Sequence, residues 1–124
     1  MIRIALLFSI VLVAYDALAA LIAKLVGVSY NSFVLLALVL IFFMGVLAGR
    51  KARSWAGIVA VAIAAIVEAT AGWYAASLIG PGYVPGWTMG GLIEMAIESA
   101  LLSACVGAAG VWVGLGVAQA RRSR

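Results

Sequence analysis

AGIVAVAIAAIVEATAGWYAASLIGPGYVPG, running from Ala56 to Gly86, decides how this chain is read. An apolar run carries one acid, Glu68, then gives way to aromatics and a turn punctuated by Gly and Pro. An apolar stretch of about 20 residues is long enough to cross a bilayer, and an ionisable residue inside one marks a candidate functional position. Three further apolar stretches surround it. The expected architecture is all-α: four transmembrane helices in an up-down bundle, forming a single domain over 1–124, with spans near 4–24, 33–49, 54–79 and 88–119.

Composition supports this. The 124 residues are 68% hydrophobic and 10% charged, against about 45–50% apolar and about 25% charged in a soluble domain. The net charge of +4 comes from basic residues at span ends, so it points to a membrane surface and not to nucleic acid. The chain has no histidine, which removes the usual general base and the commonest zinc ligand. There is no phosphate-binding loop, metal-ligand set or cofactor motif, and an enzyme is not expected. The single cysteine, Cys105, sits in an apolar run and reads as a small buried hydrophobe.

The first stretch imitates a signal peptide: Arg3, an apolar core, then Ala17-Leu18-Ala19. Asp16, just before the would-be cleavage site, argues instead for an uncleaved first span. The second, FVLLALVLIFFMGVLAG from Phe33 to Gly49, has bulky residues on every face and reads as the most lipid-exposed helix. The hairpin Gly45 to Gly57, GVLAGRKARSWAG, resembles the G-x-x-A-G-R-x-A turn of several small, uncharacterised four-helix bacterial membrane proteins. That resemblance implies no activity.

Charge asymmetry sets the expected orientation. Arg3, Arg50, Lys51, Arg53, Arg121, Arg122 and Arg124 share one side and Lys24 alone is on the other, which places both termini in the cytoplasm of a cell (inner) membrane protein. The two outer turns also look alike, Leu25-Val26-Gly27-x-x-Tyr30 against Leu78-Ile79-Gly80-x-x-Tyr83, the pattern of a parallel repeat.

A helix rises about 1.5 Å per residue, so Asp16 and Glu68 both fall roughly 18–20 Å from the basic side and should share one level. On a 3.6-residue repeat, Glu68 shares its face with Gly57, Ala60, Ala64, Ala65, Ala71, Gly72 and Ala75. Asp16 shares its face with Ala5, Ser9, Ala19, Ala20 and Ala23. Small residues mark where membrane helices approach closely, so both acids should point into the protein. The plain reading is a neutral acid bonded to a neighbouring hydroxyl or carbonyl, acting as helix glue; the sharper one is proton or cation binding. Glu94 and Glu98 lie at the outer boundary, where they are either solvated charges, with Lys24 beside Glu98, or the collecting rim of an acidic vestibule. Tyr30, Trp73, Tyr74, Tyr83 and Trp87 form an aromatic rim, which reads as an interfacial belt or as a cation site with the acids.

Two functions fit. One is a small homo-oligomeric transporter or channel for protons or cations, with Asp16, Glu68, Glu98 and Glu94 as its sites. The other is a non-catalytic accessory or assembly subunit whose carboxylates join helices within the chain or to a membrane-protein partner.

Overall fold

A computed structural model of the chain describes residues 2–52, 55–80, 88–121 and 123. The described residues are helical apart from short turns. The long helices are α1 (Ile2–Val26), α2 (Val34–Ala52, preceded by a 3-10 turn over Tyr30–Phe33), α3 (Ala56–Ile79) and α4 (Met89–Ala120). All four spans, with that turn counted into the second, are long and apolar enough to cross a membrane. Large side chains such as Leu35, Phe43, Ile66, Leu101 and Trp112 lie exposed on their outer faces, as expected of a multi-pass protein whose solvent on those faces is lipid. The expected spans match these helices to within a few residues.

Contact registers fix the relative helix directions. Asp16 of α1 lies against Gly72 of α3, and Lys24 reaches Ile79, so α1 and α3 run the same way. Gly45 of α2 meets Gly107 of α4, and Gly49 meets Val111, so α2 and α4 also run together. Between the pairs the sense reverses: Val61 packs at Gly107, while Glu68, further along α3, reaches back to Ser103. Helix α3 touches the other three, whereas no Cα of α1 lies within 8 Å of one in α4 among the described residues.

The tightest packing is between α2 and α4. A Cβ on Gly45 would strike the Gly107 carbonyl, one on Gly49 the Val111 carbonyl, one on Gly110 the Phe42 carbonyl and one on Gly114 the Val46 carbonyl. Backbone thus meets backbone, the close approach that small residues permit between membrane helices. The second span is therefore not the most lipid-exposed helix. Its bulky face meets lipid while Ala37, Ile41, Met44, Gly45, Ala48 and Gly49 are buried; α4 is the least buried of the four. Cys105 is likewise exposed on α4, because the buried stripe runs through Ser103, Gly107, Gly110, Val111 and Gly114.

Helix α3 departs from a regular 3.6-residue repeat. Glu68–Gly72 forms one π turn, which takes about one more residue per turn than an α-helix. Beyond it the buried positions are Gly72 and Ala76, while Ala71 is exposed and Ala75 only half-buried. The expected face thus holds at Gly57, Ala60, Ala64, Ala65 and Gly72 and is one residue out at Ala71 and Ala75.

The two outer turns also differ. Gly27 has φ 74°, and the amides of Gly27 and Val28 both donate to the Ala23 carbonyl, a left-handed helix end that favours glycine. Gly80 is extended, with φ 179°, so the two matching glycines end their helices differently; Tyr83 and the rest of the second turn lie outside the described residues.

Candidate functional site

Asp16 is brought inward by the small face of α1, on which Ala5, Ser9, Ala19, Ala20 and Ala23 are also buried. Only 2% of its surface is exposed. The Tyr30 hydroxyl donates to Asp16 Oδ1 at 2.8 Å. Asp16 Oδ2 is buried, has no hydrogen-bond partner and lies against Gly72 where any Cβ would collide with it. An unpaired buried carboxylate oxygen is costly, so its placement calls for a ligand, a proton or a water.

Glu68 opens the π turn and is 6% exposed. The Ser103 hydroxyl of α4 donates to its Oε2 at 3.4 Å. The two acids are staggered by one turn, because Asp16 meets Gly72 and not Glu68; the expectation of one shared level is corrected to that extent.

Both acids line one cavity of about 60 Å³, with walls from all four helices. Its polar lining is completed by Tyr15, Tyr30, Asn31, Ser99 and Ser103. Among the described residues no basic side chain contributes to the wall. At about 30 Å³ of liquid volume for each water, the space holds about two. Towards the Ile2 end of α1 it is closed by a packed apolar layer including Phe8, Leu12, Ile41, Met44, Val61 and Val111. Towards the other end, the α1–α2 connection covers it, fastened by the Tyr30 bond and by the Tyr15 hydroxyl donating to the Phe33 carbonyl at 2.7 Å.

The other expected site residues fare unevenly. Trp73 lines the cavity, but Tyr74 is 68% exposed and points away. Tyr83 and Trp87 lie outside the described residues. Glu94 and Glu98 are exposed and are not among the described residues that line the cavity, although Ser99, next to Glu98, is. Lys24 does not pair with Glu98; it donates to the Ile79 carbonyl at 2.9 Å, placing a cation at the carbonyl end of α3, where the helix dipole favours it.

Tyr15 is the lining residue that sequence reasoning missed, having only its position next to Asp16 to single it out. Tyr30 was expected in the aromatic rim, and its bond to Asp16 was not. No family model, curated protein or solved structure matches this chain.

Proposed function

We propose that this protein is a small integral membrane transporter that handles protons or small cations through the intramembrane carboxylates of Asp16 and Glu68. The observation that supports this most is that both acids line one cavity, with no basic side chain in its wall among the described residues. Two carboxyl groups in a poorly solvated site hold their charge only with a proton or a cation close by. The cavity of about 60 Å³ is far below the roughly 300–1,000 Å³ of pockets for drug-sized ligands, so lipophilic ammonium ions are not its cargo. The packed layer beneath it argues for a carrier that rearranges over a standing pore. A pathway through so compact a bundle favours two or more copies working together. Under the positive-inside rule, the end bearing Arg3, Arg50, Lys51 and Arg121 faces the cytoplasm with both termini, and the cavity lies in the outer half of a cell (inner) membrane.

A second reading has its own support. Each acid accepts a hydrogen bond from a neighbouring segment, Asp16 from Tyr30 and Glu68 from Ser103, which is what an accessory subunit using carboxyls as helix glue would show. Flux measured in proteoliposomes separates the two. The transport reading expects proton or cation flux from the wild type and none from Glu68→Gln, which keeps the shape of the neutral acid but cannot release a proton. A wild type that is silent for both classes of ion leaves the accessory reading.

A further inference from the structure

We infer that the cavity between Asp16 and Glu68 binds one hard divalent cation of the magnesium class, which keeps part of its water shell. This rests on reading these two acids as the working site and names the ion they hold. The first support is charge. One divalent cation neutralises two carboxylates, and among the described residues the cavity wall offers no basic side chain to do so. The second is donor chemistry. The two acids, the hydroxyls of Tyr15, Tyr30, Ser99 and Ser103, and the Asn31 amide present hard oxygen atoms, which suit magnesium, calcium or manganese better than copper or zinc.

The third support is space. Among the described residues no group of three or more His, Cys, Asp or Glu comes together, so the protein does not build a complete cage. Magnesium does not need one: it prefers six oxygens in an octahedron, keeps several waters and is bound through one or two carboxylates. A cavity of about 60 Å³ has room for about two waters at about 30 Å³ each, so an ion there keeps part of its water shell and takes its other oxygens from the wall. Asp16 is a residue of the wall, and its Oδ2, buried against Gly72, has no hydrogen-bond partner, which leaves a demand for positive charge beside the cavity. The Tyr30 hydroxyl bond to Oδ1 then fixes the ligand's orientation, as outer hydrogen bonds do at metal sites.

Manganese, a paramagnetic stand-in for magnesium, tests this on the full chain in lipid nanodiscs, where its resonance signal falls on binding. The expected result is one manganese per chain, displaced by magnesium and not by equimolar sodium. Glu68→Gln should weaken binding tenfold or more. Tyr30→Phe, which removes only the outer bond, should weaken it by about 10–100-fold. The double variant Glu94→Gln with Glu98→Gln should bind as the wild type does, since both acids are exposed and neither lines the cavity. A wild type that melts cooperatively but shows no saturable manganese binding overturns the inference, as does binding that follows Glu94 and Glu98 instead of Glu68. Proton flux without manganese binding overturns the divalent ion while leaving the transport proposal standing. Manganese binding without flux supports the site and defeats transport.

Discussion

Replacing three glycines by alanine, one at a time, separates three physical situations that the sequence shows as one. At Gly116 an added Cβ meets nothing within 4 Å, so only the helix propensity gain of about 1 kcal/mol applies. At Gly72 the same atom would collide with Asp16 Oδ2. An ordinary contact is about 3.5 Å, so the carboxyl must swing aside and give up its 2.8 Å bond from Tyr30. Side-chain hydrogen bonds between membrane helices average about 0.6 kcal/mol and reach about 1.7, so the loss offsets between about half and somewhat more than all of the propensity gain. The two variants should thus differ by roughly 0.6–1.7 kcal/mol, Gly72→Ala being the less stable. At Gly110 the Cβ would strike the Phe42 backbone carbonyl, which cannot rotate away. Helices α2 and α4 must part, and overpacking of this kind costs about 1–3 kcal/mol. Unfolding of all three in one detergent should rank Gly116→Ala most stable and Gly110→Ala least. Tyr30→Phe supplies the internal check. With the hydroxyl gone, Gly72→Ala has no bond to break and its cost should shrink, a non-additivity expected only of coupled positions. Equal cost in both backgrounds would refute the claim that Tyr30 holds Asp16 against Gly72.

Other outcomes follow from the packing and the charge distribution. Ala64→Leu should disrupt folding, because Ala64 is buried in the central apolar cluster, whereas Leu36→Ala, on an exposed position of α2, should change the melting midpoint little. Lys24→Met should destabilise by about 0.3–1 kcal/mol, the usual worth of a cation at a helix C-terminus, as read from thermal unfolding. In a Cys105→Ala background, chosen because Cys105 is exposed, Ser29→Cys should react with an impermeant thiol reagent from outside intact cells and Ser123→Cys should not; the reverse pattern would invert the proposed orientation.

The parts of this fold that follow from local pattern could be read in advance. Apolar runs broken by Lys24, by Arg50 to Arg53 and by the Gly/Pro turn define the spans, because length and hydropathy decide insertion. The inward aim of Asp16 and Glu68 was legible because small residues mark their faces. What was not legible depends on the partner across each interface. Gly45 and Gly49 were dispersed among bulky neighbours, and nothing in α2 alone shows that Gly107 and Gly110 face them. The π turn has no residue signature; it follows from fitting Asp16 against Gly72 while keeping Glu68 at Ser103. Tyr30 is separated from Asp16 by a turn, so their bond could only be found once the Gly27 helix end had folded the chain back.

The central claim is that Asp16 and Glu68 act as one exchanging site, and infrared difference spectroscopy of the carboxyl groups tests it most directly. Full-length wild type, Asp16→Asn and Glu68→Gln would each be reconstituted in lipid and stepped between buffers of different pH. Interacting acids titrate as a pair, so removing either should change the titration of the one that remains. The account predicts a reversible carboxyl protonation signal in the wild type, and in each single variant a residual signal whose midpoint has moved. An identical spectrum from all three proteins, or no carboxyl signal from the wild type at any pH at which it stays folded, would contradict it.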